Sequence, residues 1–263
     1  MNFYEFTKNY LERLWTRTGR NVKELEIYYL PDLYAWPPFF TVKPGGETKN
    51  DMMKMFAFIL QNRQSLPNII NIQKNYEVIY TITSGFDTGT IIAKGSSGLY
   101  SEFEKAGIVS KKAKKTWTSY CDGLVDAANY LDGNFINFVN YKAKFNSKVT
   151  FESERSKIMK IKGIGPALSL NYLKETVMDN AKPDTHTKAV FSSFDSTVHD
   201  DESCVESIKR YAKEGGVPYY KLDRMVWLIC SGKFFKHGIS IGNGKQKFID
   251  SIKDAINKGK LKI

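Results

Sequence analysis

The sequence predicts a predominantly helical fold, because apolar residues recur every three or four positions in several long segments. The clearest segments are residues 51–64, 109–130 and 246–256. The first starts at Asp51, a residue type that caps helices, and we expect a buried helix with a polar end there. The last carries its apolar residues on one stripe and predicts a terminal helix, and the apolar run at 225–230 predicts core.

Residues 76–100 allow two interpretations. The β-branched runs 78–83 and 90–92 are separated by glycine-containing turns, which is compatible with a short β-hairpin insertion near 76–95. An irregular helical segment fits the same residues equally well.

The balance of charge points to a polyanionic partner. The 263 residues, 42% of them hydrophobic, can form one large domain or two lobes with a shared core. The 39 Lys and Arg against 28 Asp and Glu leave a formal net charge of +11, which favours nucleic acid or an acidic membrane surface. A basic balance is also compatible with solubility alone, and the lysines of 111–115 are usually explained as a solvated helix face.

Cysteine content and hydropathy bear on the compartment. Cys121, Cys204 and Cys230 are odd in number and widely spaced, which excludes a disulfide framework and a four-cysteine metal or iron–sulfur site. We expect buried thiols in a reducing environment. Charged residues interrupt the apolar amino terminus, and no run approaches the about 18 apolar residues that span a bilayer. The sequence therefore predicts a cytoplasmic protein without membrane association.

A glycine-containing turn between two predicted helices is the first candidate binding site. Proline at the first position of a helix costs no hydrogen bond, and glycines allow positive φ and close approach of another backbone. The free N–H groups and the positive end of the following helix could then bind a phosphate. A tight corner without any ligand explains the same residues. The turn, which we call the hairpin, consists of Lys162, Gly163, Ile164, Gly165, Pro166 and Ala167.

Asp184 is the candidate catalytic residue. It follows Pro183, which ends the preceding helix, and it precedes a predicted helix, so a simple N-cap worth about 1 kcal/mol is the commoner role for such an aspartate. The 19 positions between Gly165 and Asp184 leave room for one helix and a return connection, which would let the carboxylate face the hairpin. His186, on the same first turn, could orient that carboxylate or contact phosphate, or could merely cap the helix.

In pattern, residues 161–191 resemble the helix-hairpin-helix (HhH-GPD) superfamily of DNA glycosylases, the group that includes endonuclease III and the adenine glycosylases. In that family the hairpin is followed by a Val-Asp-Thr-His or Pro-Asp-x-His segment with the catalytic aspartate, and here the corresponding residues are Pro183-Asp184-Thr185-His186. Residues 60–64 are similar to the family's Leu-Gln-Gln-Thr-Gln segment, which lines the lesion pocket and fills the gap left by a flipped base. The resemblance thereby assigns the base pocket or wedge to Gln61, Asn62 and Arg63.

The resemblance also implies the architecture. The fold would be all-α and two-lobed, with a DNA-binding cleft between the lobes. Residues 51–179 would form a six-helix barrel-like domain that ends in the helix-hairpin-helix. Residues 1–50 and 180–263 would form a second helical domain that carries the catalytic Asp184.

Two departures from the family narrow the expected chemistry. Bifunctional members carry a lysine just after the hairpin that forms a Schiff base with the sugar, and Ala167 stands at that position. The iron–sulfur cluster of the family is excluded by the cysteine count. The resemblance therefore implies no cofactor, with a monovalent cation at the hairpin as the one ion to consider.

The implied function is a monomeric DNA glycosylase acting on double-stranded DNA with a modified base. The base would be flipped out, and Asp184 would stabilise the oxocarbenium-like transition state and direct a water to C1′. The hairpin and His186 would contact DNA. Uracil, oxidised, alkylated and hypermodified bases are all compatible with this pattern. Two alternatives stay open: a glycosylase and lyase that uses another lysine, and a non-catalytic DNA-binding protein in which Asp184 is only a cap.

Overall fold

The computed structural model of the chain describes residues 1–30, 48–62, 67–234 and 237–263. Most of these residues are helical, which confirms the predicted fold class at that level. They divide into two compact units. The discontinuous unit comprises the described residues of Met1–Pro38 and Asp179–Ile263, and the continuous unit comprises those of Phe39–Met178.

The elements follow in this order along the chain. The helices are α1 (Phe3–Thr16), α2 (Val22–Tyr29), α3 (Lys49–Gln61), α4 (Pro67–Ile70), α5 (Tyr76–Ile82), α6 (Thr88–Lys105), α7 (Lys114–Asn134), α8 (Phe138–Ala143), α9 (Lys148–Ile158), α10 (Pro166–Thr176), α11 (Thr185–Phe191), α12 (Asp201–Glu214), α13 (Tyr219–Ser231) and α14 (Lys245–Asn257). A 3-10 turn at Lys111–Ala113 precedes α7, and the strands β1 (Lys233–Phe234) and β2 (Ile239–Ser240) form an antiparallel pair.

In the discontinuous unit, α13 packs against α1, α11, α12 and α14. Its residues Met225, Val226, Leu228, Ile229 and Cys230 are buried in the core of this unit, which confirms the prediction for the apolar run at 225–230. The predicted terminal helix is also confirmed, as α14, and its apolar stripe packs into the same core.

In the continuous unit, α3 and α7 are the central helices. α3 is buried almost throughout, and the Phe56 ring stacks on Tyr172 of α10 with centroids 3.8 Å apart. The Tyr141 hydroxyl lies 3.3 Å from that of Tyr130 and 3.1 Å from that of Tyr172, so the aromatic core contains its own hydrogen-bonded chain.

The start of α3 differs from the prediction. Thr48, not Asp51, is the N-cap residue, and its hydroxyl accepts the Asp51 N–H. The Asp51 carboxylate accepts the Thr48 N–H in return. Asp51 therefore occupies the third helical position of a capping box, where a short acidic side chain satisfies the other free donor.

The β-hairpin expected near 76–95 is wrong, and the helical alternative holds. α5 ends where the Thr83 hydroxyl donates to the Ile79 carbonyl at 2.7 Å. The connection turns through positive φ at Ser84, Gly85 and Phe86, and α6 is interrupted by Gly95 at φ +61°. Burial of Ile79 and Ile91 in a helical core overrides the β-propensity of the branched residues.

The chain forms its antiparallel strands elsewhere, at β1 and β2, with Lys233 opposite Ser240 and Phe234 opposite Ile239. Gly232 precedes them at φ +62°, where a Cβ atom would lie 1.9 Å from the Gly242 carbonyl oxygen. Only glycine fits this crossing of two backbone segments.

Cys121, Cys204 and Cys230 are buried and unpaired, as predicted. Every helix in the described parts of the chain is too short or too polar to cross a membrane.

Candidate functional site

The hairpin joins α9 to α10 in the continuous unit. Gly163 adopts φ +94°, a conformation that glycine enters without strain. Gly165 is the N-cap residue of α10 with an extended backbone, and Pro166 occupies the first helical position. Ile161 and Ile164 are buried and fix both ends of the turn, and the Ile164 N–H donates to the Ile161 carbonyl at 2.9 Å. The predicted helix–turn–helix connection is present at these residues.

The hairpin leaves backbone donors free at the surface. In the part of the chain that the structure describes, no side chain caps the start of α10. Within the described residues, no acceptor lies within hydrogen-bond reach of the N–H groups of Gly163, Gly165 or Ala167. Gly165 and Pro166 are exposed, and Gly163 and Ala167 are partly exposed, so the turn lies at the surface. A set of free N–H groups at the positive end of an 11-residue helix is suited to bind an anion.

Lys162 is fastened to α7. Its backbone N–H donates to Asp126 Oδ2 at 2.9 Å and its ammonium group donates to Asp122 Oδ2 at 2.5 Å. The hydrogen bond from Lys162 holds the pKa of the Asp122 carboxyl below its usual value. The Lys162 side chain is still 55% exposed. The ion pair with Asp122 partly neutralises the Lys162 ammonium group, so Lys162 is a weaker phosphate ligand, although it is still accessible to solvent.

Asp184 lies in the discontinuous unit, at the N-cap of α11. Its Oδ1 atom accepts the N–H groups of His186 and Thr187, each at 2.9 Å, and the Thr187 hydroxyl at 3.0 Å. Among the described residues, none donates to Oδ2, and the side chain is partly exposed. Pro183, directly before it, is buried. The cap expected from the sequence is thus present, and it uses one of the two carboxylate oxygens.

A second carboxylate, not identified from the sequence, lies beside this cap. Asp223 of α13 is only 3% exposed. Its Oδ2 accepts the Lys182 N–H at 3.2 Å, and its Oδ1 lies 3.3 Å from the Thr187 hydroxyl. The sequence gives little signal for it, because Asp223 stands between Lys221 and Arg224, just before the apolar run at 225–230, where a solvated charge is the usual expectation.

His186 does not orient Asp184 through its Nδ1 atom. In the described part of the chain this nitrogen is buried and has no hydrogen-bond partner. The backbone N–H of His186, by contrast, donates to the Asp184 carboxylate. The residue serves the cap through its main chain.

Three ionisable side chains near Asp184, those of Lys188, Cys204 and Cys230, have raised pKa values. The hydrogen bond to Asp201, with an N–O distance of 2.6 Å, raises the pKa of the Lys188 ammonium group. Burial raises the thiol pKa of Cys204 and of Cys230 to about 12, and the charges of Asp223 and Asp184, respectively, act in the same direction. A protonated amine and protonated thiols are poor nucleophiles, so Asp184 stays the candidate catalytic residue among these groups.

The residues assigned to the base pocket or wedge have different surroundings. Gln61 is 2% exposed, and its amide oxygen accepts the Ile72 N–H at 3.0 Å, which is a structural role. Asn62 is exposed at the end of α3. Arg63 lies outside the described residues. Of the two described members of this set, Asn62 is the one exposed to solvent.

The described residues contain no group of three His, Cys, Asp or Glu side chains that could hold a metal ion. The hairpin and Asn62 belong to the continuous unit, and Asp184 and His186 to the discontinuous unit.

No protein-family model, curated protein or solved structure matches this chain. The resemblance to DNA glycosylases therefore rests on sequence pattern alone, namely the hairpin, residues 182–187 and residues 60–64.

Proposed function

We propose that this protein is a monofunctional DNA glycosylase that hydrolyses the N-glycosidic bond of a modified nucleotide. The observation that carries the proposal is the geometry of Asp184. One carboxylate oxygen is held by three donors, and the other accepts no hydrogen bond from the described residues on a partly exposed side chain. Such a carboxylate is fixed in place yet open to a substrate.

The chemistry of base removal suits a carboxylate of this kind. As the glycosidic bond lengthens, positive charge develops on the deoxyribose, and a fixed negative charge stabilises it. The same group can orient a water for attack on C1′ and accept its proton. Asp184 Oδ2 is the atom we assign to both tasks, because Oδ1 is occupied by the cap.

The hairpin supplies the grip on the DNA backbone in this proposal. Its free N–H groups and the positive end of α10 favour a phosphate, independent of base sequence. The formal net charge of +11 favours the same partner. Extrusion of the target base costs a few kcal/mol, which damage or mispairing lowers, and we assign the role of filling the vacated stack to Asn62.

A lyase activity has less support. The position of the family's Schiff-base lysine is Ala167. The hydrogen bond from Lys188 to Asp201 raises the pKa of the Lys188 ammonium group, and the charge of Asp184 acts in the same direction. A Schiff base requires a neutral amine, so Lys188 is poorly suited to form one. If borohydride traps no covalent DNA adduct, the result agrees with a monofunctional glycosylase. A trapped adduct would instead support a glycosylase with lyase activity.

The non-catalytic alternative is favoured by one observation, the completeness of the cap. Three donors on Oδ1 explain an aspartate at this position without any chemistry. Under this hypothesis, the protein binds DNA and releases no base from any substrate.

Base release from a panel of duplexes with uracil, oxidised, alkylated or hypermodified bases decides between these functions. For the substrate that is cleaved, we expect Asp184→Asn to bind DNA as the wild type does and to release base about 10²–10⁴ times more slowly. The matched control is Asp200→Asn, because Asp200 is also an N-cap aspartate of the discontinuous unit. Wild-type excision by Asp184→Asn, or no excision by the wild-type protein, would refute the proposal.

A further inference from the structure

Asp223 is a buried carboxylate whose hydrogen bonds connect it to the segment that carries Asp184. A charged group removed from water is costly unless hydrogen bonds replace its hydration. Asp223 is 3% exposed in the core-forming helix α13. Two of its contacts are made with the segment that carries Asp184.

The two contacts lie on either side of Asp184. The Lys182 N–H, two residues before it, donates to Asp223 Oδ2, and the Thr187 hydroxyl, three residues after it, lies at Asp223 Oδ1. The chain between residues 182 and 187 is thereby tied at both ends to one side chain of a rigid helix. Positions fixed in this way hold a reactive group more accurately than a free loop does.

Thr187 connects the two carboxylates directly. Its side chain is fully buried, and its Oγ1 atom lies 3.0 Å from Asp184 Oδ1 and 3.3 Å from Asp223 Oδ1. A hydroxyl has a single hydrogen, which it can donate to either oxygen. The Thr187 hydroxyl is therefore shared between the cap oxygen of Asp184 and the buried carboxylate behind it.

We infer that Asp223 is a positioning residue, which with Thr187 clamps the 182–187 segment so that Asp184 presents its free oxygen to the substrate. This inference rests on the proposed glycosylase function, since it assigns a role within the same reaction. Asp223 touches no substrate and acts only through Asp184.

The first test compares two substitutions of Asp223 under single-turnover conditions. Asp223→Ala removes both contacts, and we expect base release to slow about 10- to 100-fold while the Kd for DNA stays within about twofold. Asn keeps an oxygen for the Lys182 N–H and an amide donor for the Thr187 hydroxyl, so we expect Asp223→Asn to recover most of the rate. If Asp223→Asn releases base as slowly as Asp223→Ala, the positioning role is wrong, because base release would then depend on the charge of Asp223 and not on the position of the segment.

The matched control is Asp195→Ala. Asp195 is also a buried carboxylate of the discontinuous unit, 5% exposed, but its partners are Thr197, Ser207 and Arg210. Its replacement should destabilise the fold comparably and leave the excision rate of the folded protein unchanged. If Asp195→Ala and Asp223→Ala slow base excision equally, the effect is explained by general destabilisation, and the inference is wrong.

A second pair of variants covers the case in which Asp223→Ala does not fold. Thr187→Val removes the shared hydroxyl and keeps the branched side chain, so it should slow base release, whereas Thr187→Ser keeps the hydroxyl and should restore the rate. Wild-type rates in both would overturn the inference while the glycosylase function stood. If the wild-type protein releases no base, the proposed function is wrong, and this inference is wrong with it.

Discussion

The two carboxylate oxygens of Asp184 have different surroundings, so the stability contributed by the cap can be measured apart from the proposed chemistry. Oδ1 satisfies the first N–H groups of α11, and Oδ2 is free of bonds from the described residues. Asn caps a helix about as well as Asp does, whereas Ala cannot cap. We expect Asp184→Ala to lose about 0.5–2 kcal/mol of unfolding free energy and Asp184→Asn to lose almost none.

Urea unfolding followed by circular dichroism measures both values. If Asp184→Asn is as unstable as Asp184→Ala, the cap depends on charge, and a loss of activity in Asp184→Asn could no longer be assigned to chemistry alone. Equal stability of all three proteins would mean that the cap contributes nothing.

At this scale the sequence predicted what is local. The N-cap role of Asp184 follows from its neighbours, since the acceptor and its donors lie within three residues. Asp223 is separated from Lys182 by 41 positions and from Thr187 by 36, so no local pattern reveals that contact. In the sequence Asp223 is one charged residue beside two others, Lys221 and Arg224, and nothing there marks it as buried.

Among the helices, the contact between α7 and the hairpin depends on the absence of one side chain. A Cβ atom on Gly123 would lie 2.6 Å from the Lys162 carbonyl oxygen and 2.8 Å from Leu60 Cδ2. The backbone of the hairpin cannot yield as a flexible side chain could. This glycine therefore sets how closely the hairpin approaches the helix.

We expect Gly123→Ala to destabilise the protein by about 1–3 kcal/mol and to weaken DNA binding, because the hairpin is displaced. Gly133→Ala is the matched control. Gly133 lies in the same helix with no atom within 4 Å of the added Cβ, so alanine should stabilise the helix there by about 0.5–1 kcal/mol. Unfolding midpoints in urea compare the two. A Gly123→Ala protein as stable as Gly133→Ala would show that the hairpin can move away at no cost.

The elements themselves were predictable where the helical period was long. The terminal helix follows from a stripe of apolar residues, and the apolar run at 225–230 predicted core without specifying the helix α13. Residues 76–100 did not yield a single answer, because short β-branched runs satisfy a strand and a helix equally well until packing decides. The strands β1 and β2 have two residues each, too few for any periodicity to appear.

For the molecule as a whole, the excess of basic residues makes a prediction about any binding to DNA. Each phosphate neutralised by a lysine or arginine releases counterions, so the logarithm of the association constant should fall linearly with the logarithm of the salt concentration. The expected slope is about −0.9 per phosphate contacted on duplex DNA. Fluorescence anisotropy with an undamaged duplex, between low and moderate salt, measures this slope without requiring catalysis.

Two triple variants with the same loss of charge show whether the salt dependence comes from net charge or from a defined surface. Lys112, Lys114 and Lys115 are exposed around the start of α7, in the unit that contains the hairpin. Replacing all three by Gln should reduce the slope by about one per lysine. The control replaces Lys247, Lys253 and Lys258 in and just after α14, which are also exposed. Equal reductions in the two proteins would indicate a solvated lysine run that acts only through net charge, and a salt-independent affinity would argue against DNA as the partner.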